Sequence, residues 1–442
     1  MPSDPSVSEQ VVAPMSNKAR YALIVTVEGL GTNLVGCYGG AIGPTKNWDS
    51  FACRSIVFDQ FWADTLRPID VLESMWTGKH FASRSKDQAS NDQASNDPAE
   101  ESNRLLDRAM LITDSIEIVE ESTRGEFGSV LLIEAQADES DEDAPTQITR
   151  LFEAALGQWA TQLEDFPILW IHSRGLNGDW DAPYEYRCVM CDEGDPEPPF
   201  GTSPGKLTIT EETDPDEVFG LACAMGAQAM AFDDAWSMIE EILGELGIAD
   251  ECLQVLAGVQ GYPVGEHGSV GPSARAFYAE SLHLPLVVRP GGQLDVGVRV
   301  PFIVQPNSVW KTVVGWMGDH TEAVYADSMS TDLVLEIEAL PAELWPIKNQ
   351  MAYSCGEGQV HVAVPAWSCR WSSGEMPDGV ETERVELFAT PDDRWQQNEV
   401  SQRAVAIVEA LTERRDAWLK WCLEDKLVEW TPLSSELTHP IR

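Results

Sequence analysis

Residues 21–29, YALIVTVEG, constrain this chain more than any other stretch. A near-continuous apolar run of strand length, Tyr21–Val27, leaves no alternating polar face for water, so it fits a central parallel strand covered on both sides. One acid, Glu28, follows at once, and then a glycine-rich turn that runs to Gly40. In open α/β sheets, ligands bind beyond the carboxyl ends of the strands.

The rest of the chain repeats the pattern. Ser55–Trp62, Met110–Thr113, Val130–Glu134, Pro167–His172, Leu253–Leu256 and Leu286–Arg289 read as strands. Val71–Trp76 reads as a short helix stopped by Gly78. Thr146–Glu164 and Val218–Leu246 read as long helices, the second stopped at Gly247. Tyr184–Pro215, rich in proline, glycine and acids, reads as loop. The alternation predicts an α/β fold in which a mostly parallel sheet is sandwiched by helices. A smaller C-terminal α+β subdomain follows, with strands at Gln359–Val364 and Arg384–Phe388 and a last helix at Val400–Cys422. The expected organisation is a disordered arm over 1–19 and an α/β domain over 20–318. That domain carries a low-complexity insertion at 84–103, where DQASN is doubled. The subdomain over 319–430 and a tail over 431–442 complete the chain.

Composition narrows the partners. The 442 residues are 43% apolar with 16 tryptophans, enough for a large core. The formal net charge of −44, from 73 acids against 29 bases, repels phosphate backbones and anionic lipid. Nucleic-acid and membrane binding are therefore not expected, and long sulfated or phosphorylated polymers are disfavoured. No signal-peptide core or membrane-length apolar segment is seen, and the nine cysteines are odd in number and scattered. A cytoplasmic protein with reduced thiols is the expectation. Cys188 and Cys191 form one C-x-x-C, which without a second pair reads as loop thiols rather than a zinc site.

Five ordered segments, the first of them in three parts, carry a resemblance. VEGLGTNLVGCYG (from Val27), TKNWD (from Thr45) and IVFDQFWA (from Ile56) keep the spacing of V-D-x-L-R-x-D-x-L-G-x-Y-G, T-P-N-L-D and the strand after it. TLRPIDVLESMWTGKH (from Thr65) stands where C-x-P-x-R precedes a helix and T-G. The segment from Phe232 to Gly268 ends in GEHG, as S-D-H-G-E-x-x-G-E-H-G does. YAESLHLPLVVRPGG (from Tyr278) and VELFATPDDRWQQNEV (from Val385) match the closing motifs. Together these resemble the sulfatase family of the alkaline-phosphatase superfamily, over roughly residues 21–413.

The resemblance implies sulfuric-ester hydrolysis, with a Ca²⁺ or Mg²⁺ held by carboxylates and a formylglycine nucleophile made from Cys or Ser. Carried over by position, the first metal aspartate falls on Glu28 and its neighbour on Gly29. The arginine and aspartate that follow fall on Gly31 and Asn33. The nucleophile falls on Pro68, the late metal Asp-His pair on Val259 and Gln260, and a conserved-motif histidine on Asn177. Proline cannot attack an ester, so no formylglycine is expected. One carboxylate and an amide are a poor set for a hard divalent cation, so Ca²⁺ or Mg²⁺ would need a rebuilt site. The expectation is a pseudoenzyme that keeps the scaffold to bind a small anion or a protein partner, with Arg67, Arg174 and Asn177 as anion-binding candidates and His172 beside them. Two alternatives stay open. One is a sulfate or phosphate monoester hydrolase rebuilt around Glu28, His172, Gln260 and His267. The other is an interaction module that presents tryptophans and acids to a basic partner.

Overall fold

The computed structural model describes residues 20–87, 105–122, 127–134, 144–201, 203–272, 277–291, 297–317, 351–375, 381–390, 392–424 and 432–439. The arm over 1–19, most of the insertion at 84–103 and the start of the subdomain lie outside the described residues.

The first strand, β1 (Tyr21–Gly29), is buried along its whole length. Its side chains alternate between two cores, Ala22 and Ile24 on one face, Leu23, Val25 and Val27 on the other. The large sheet continues with β2 (Ile56–Trp62), β3 (Ala109–Thr113), β4 (Ser129–Leu132), β5 (Ile168–Ser173), β7 (Cys252–Gly261), β9 (His283–Leu284), β10 (Leu286–Arg289) and β11 (Val298–Val304). Its order is β11-β2-β10-β7-β1-β5-β3-β4, with β9 against β2. The pairs around β1, β5, β3 and β4 are parallel, while β10 runs antiparallel to both β2 and β7. β6 (Leu207–Thr208) and β8 (Ser269–Val270) form a small ribbon of their own.

The helices are α1 (Lys46–Ala52), α2 (Pro68–Thr77), α3 (Phe81–Asp87), α4 (Ile116–Ser122), α5 (Gln147–Ala160), α6 (Tyr184–Cys188), α7 (Pro215–Glu245), α8 (Ala279–Leu282) and α9 (Asn307–Met317). Local chemistry sets their ends. Thr146 caps α5 through Thr149 N–H. Asp214 caps α7, with Pro215 in its first turn and Gly247 beyond its end at φ +68°. α2 starts at Pro68, three residues earlier than the apolar spacing indicates, because proline is pre-set for a first helical turn and needs no N–H partner there. Gly78, left-handed, ends it.

Two expectations are corrected. The stretch Tyr184–Pro215 is not all loop, since it holds α6 and β6; α6 is too short to show a period. The last helix, α10, spans Val405–Glu424 rather than beginning at Val400. It packs on an antiparallel sheet of β12 (Ala352–Gly356), β13 (Gln359–Val364), β14 (Trp367–Glu375) and β15 (Glu381–Ala389) in that order. The short helix α11 (Ser435–Thr438) covers the same core through Leu437, so this part of the expected tail is packed.

Two polar ties hold these layers. Asp233 on α7 is buried, and its two carboxylate oxygens accept the N–H groups of Asn47 (3.0 Å) and Trp48 (2.8 Å) in the first turn of α1. It thereby serves as a cap supplied from another helix. The second tie is His267, on the GEHG turn at φ +49°. Its Nδ1 faces Glu280 Oε1 at 2.8 Å and its Nε2 faces the Gln396 carbonyl at 3.0 Å. Both partners accept, so both ring nitrogens carry protons. The ring stacks on Tyr278 at 3.6 Å, and Arg370 of the small sheet lies 4.1 Å from that tyrosine ring. Burial pulls the His267 pKa down, but the Glu280 hydrogen bond and charge, the Gln396 carbonyl and Glu386 outweigh it and the net shift is upward.

Asp233→Ala leaves three donors, the Asn47 and Trp48 N–H groups and the Asn47 side-chain amide, without their charged acceptor, and a loss of roughly 2–4 kcal/mol is expected in urea unfolding, with Asp233→Asn losing less. For His267, a raised folded pKa means stability that is complete below the unfolded value of about 6.5 and lost as pH rises through the folded value. Thermal midpoints of wild type and His267→Asn should therefore differ most in mildly acid buffer and converge as pH rises above that window.

Candidate functional site

The carboxyl ends of β1, β5 and β7 converge where the sequence places Glu28. β1 and β7 run in register to Val27↔Gly258, then slip, so that Glu28 pairs with Gln260. The extra residue, Val259, turns into the apolar core and is fully buried. This bulge re-aims Gln260 to Glu28's side of the sheet. Gly29 follows at φ +78°, and a Cβ there would lie 2.5 Å from Leu176 Cβ. An aspartate at position 29 would need both a strained backbone and a displaced leucine.

Glu28 is 8% exposed and both of its oxygens are engaged. Oε1 faces His172 Nε2 at 3.2 Å, and Oε2 accepts from Asn177 Nδ2 at 2.7 Å. The same Asn177 amide donates to Gln260 Oε1 (3.1 Å), and Gln260 Nε2 donates to the Leu66 carbonyl (2.7 Å) in the loop before α2. Behind Glu28, Trp170 Nε1 donates to Thr26 Oγ1 (2.9 Å), which lies 3.1 Å from His172 Nδ1. A threonine hydroxyl donating to Nδ1 leaves Nε2–H to donate to Glu28, and every group in this relay is then satisfied.

A cavity of about 640 Å³ opens in front of this network. Glu28, Asn177 and Gln260 form part of its wall, with Arg67, Pro68 and Asp70 at the start of α2, and Arg174 and Lys206 also line it. No side chain caps α2, whose first residues Pro68, Ile69 and Asp70 line this space. Arg67 is 62% exposed and pairs with Asp70 (3.4 Å) and Glu117 (3.8 Å). Burial raises the Asp70 pKa against the opposing pull of Arg67 and Arg84. Asn177 Oδ1 is buried and has no hydrogen-bond partner.

The sequence candidates thus separate. Glu28, Pro68, Arg67, Arg174, Asn177 and Gln260 share one cavity. His172 is fully buried behind Glu28 and does not line it, because its ring is turned along the sheet end toward Thr26. The expected anion contact from His172 is corrected accordingly. His267 does not line the cavity either; Glu280 and Gln396 hold it at the joint with the small sheet. Val259 and Gly29 are not among the residues that line the cavity. Three residues went unread: Thr26, hidden in an apolar run; Lys206, in a stretch read as loop; and Asp114. The last follows β3 as Glu28 lies at the end of β1, so the same signal, an acid at a strand's carboxyl end, points to it. Asp114 accepts from Arg174 N–H (2.7 Å) and Ser173 Oγ (3.2 Å), and burial raises its pKa.

The polar side chains gathered at Glu28 are one carboxylate, two amides and an imidazole. Among the described residues no group of three or more His, Cys, Asp or Glu side chains is placed to hold a metal ion. A Ca²⁺ or Mg²⁺ takes six or more oxygens, several of them charged, and this donor set does not match that requirement.

No family model matches this chain, and no curated protein matches it. Solved structures do. The BT4656 protein, solved in complex with its substrate D-glucosamine-2-N,6-O-disulfate, superposes with a TM-score of 0.68 at 14% identity, over 92% of this chain and 99% of its own. BT1596, a 2-O GAG sulfatase, gives 0.63 at 14% identity over 95% and 96%. The phosphonate monoester hydrolase of Agrobacterium radiobacter gives 0.61 at 14% identity over 94% and 99%. The chain therefore has the fold that these sulfatases and the phosphonate monoester hydrolase share.

Proposed function

We propose that this protein keeps the sulfatase scaffold without sulfuric-ester hydrolysis and uses the cavity in front of Glu28 to bind a small anion. The observation that carries the reading is the capture of both Glu28 oxygens, by His172 and by Asn177. The carboxylate best placed to ligate a cation is spent on protein donors, and the position that the resemblance gives to the nucleophile is Pro68. Neither formylglycine nor a bound Ca²⁺ or Mg²⁺ belongs to this reading.

Anion binding is supported by the clustering of Arg67, Arg174 and Lys206 around one cavity of a strongly acidic chain, and by the uncapped start of α2. Because Arg67 is engaged with Asp70 and Glu117, Arg174 and Lys206 carry more of the attraction. The unpartnered Asn177 Oδ1 favours a ligand that also bears a hydroxyl or amide donor. The second reading, a hydrolase with a rebuilt site, keeps Glu28 and Gln260 at the cavity but lacks His267, which is tied elsewhere.

Purified protein is expected to leave nitrophenyl sulfate and nitrophenyl phosphate uncleaved with Ca²⁺ or Mg²⁺ added; turnover that disappears in Glu28→Ala would overturn the proposal. Sulfate binding followed by calorimetry should weaken roughly tenfold, about 1.4 kcal/mol, in Arg174→Ala and in Lys206→Ala, and less in Arg67→Ala. Equal affinity in all three variants would exclude the cavity as the anion site. The pH dependence has a definite sign. As pH falls through the raised Asp70 value, that carboxylate gains a proton, a negative charge leaves the cavity, and sulfate affinity should rise; Asp70→Asn should remove the effect.

A further inference from the structure

The C-x-x-C stretch takes no part in the cavity, and the fold gives it a partner other than the one its spacing suggests. Cys188 ends α6 and is exposed. Cys191, half-buried, has its Sγ 3.9 Å from Sγ of Cys223, a buried residue 32 positions later on α7. The approach is fixed from both sides. Met190 fills a notch at Gly226, one turn along α7 from Cys223, where a Cβ would fall 2.6 Å from the methionine methyl carbon. Before the pair, Tyr186 hydrogen-bonds Asp234 of α7, and Arg187 donates to the carbonyls of Trp180 (2.7 Å), Gly201 (2.9 Å) and Pro199. A disulfide brings its sulfurs to about 2 Å, and side-chain rotation covers such a gap when the backbones already stand side by side.

We propose that Cys191 and Cys223 are a reversible dithiol–disulfide pair that reacts with low-molecular-weight disulfides of the glutathione class. The more accessible Cys191 thiolate attacks one sulfur of the small disulfide. That forms a mixed disulfide and releases one thiolate, which takes up a proton. The Cys223 thiol then loses its proton to solvent and attacks Cys191 Sγ, expelling the second small thiolate. Two protein thiols are oxidised, one disulfide is reduced to two thiols, and no other oxidant is needed. Burial, with the Cys191 hydrogen bond, pushes the Cys223 thiol up to about 12, which fixes the order of the two attacks. The product ties the end of α6 to α7 and closes the segment between them, which carries Pro204 and Lys206 of the cavity wall.

The test uses the whole reduced chain, incubated with excess oxidised glutathione, alkylated, and mapped by mass spectrometry without reduction. The expected result is one crosslinked peptide joining Cys191 to Cys223, with alkylation of both lost together and regained after dithiothreitol. Cys188→Ser should form the same crosslink, and Cys223→Ser should stop at a glutathione adduct on Cys191. A Cys188–Cys191 crosslink in the wild-type chain would overturn the proposal. So would continued alkylation of Cys191 and Cys223 while the exposed Cys53 and Cys188 carry glutathione.

Discussion

Strand β1 is covered on both faces and paired in parallel on both edges, so its polar atoms meet a ligand space at its carboxyl end. What stands there decides what the sheet can do. In this chain it is Glu28, and the hydrogen bonds from His172 and Asn177 define that residue's chemistry. A carboxylate held by two donors at low exposure is already stabilised by its surroundings; giving it to a cation would mean breaking those bonds and leaving their donors bare. The network reaches Thr26 and Trp170 behind it and Leu66 in front, so the end of the sheet is fixed to the start of α2.

The surroundings agree with this arrangement at several independent points. Gly29 and Gly175 bring two backbones into contact beside Glu28, and a side chain at position 29 would strike Leu176. The bulge turns Val259 into the core and presents an amide instead. Pro68 starts α2 without an N–H or a reactive atom. They leave the sheet mouth to Glu28, His172, Asn177 and Gln260, which hydrogen-bond one another. Arg67, Arg174 and Lys206 line the same cavity.

The small antiparallel sheet has a mechanical place in this scheme. Part of its contact with the large domain runs through His267, Tyr278, Arg370 and Gln396, and part through Tyr353 and Ser354, which bond Gln305, His80 and the Ala63 carbonyl. Gly356 and Glu357 of the β12–β13 turn meanwhile reach the cavity wall. The subdomain is therefore both fastened to the large domain and part of the cavity wall.

Much of this was legible in the residues. The buried run Tyr21–Val27 required a covered strand, and Gly247 and Gly78 marked helix ends, because burial and backbone freedom act locally. Ordered motifs from Val27 to Val400 pointed to the fold, and position counting brought Glu28, Pro68 and Gln260 to one place. Other features depended on contacts between distant segments, which no local pattern encodes. The slip that sets Gln260 opposite Glu28, the rotation of His172 away from the cavity, the capture of His267 by Glu280 and Gln396, the arrival of Lys206 from an apparent loop, and the approach of Cys191 to Cys223 are all of this kind. Sequence fixes which groups are available and where the chain must be buried; only packing decides which of those groups face each other, and hydrogen bonding is short-ranged enough that a few ångströms settle the chemistry.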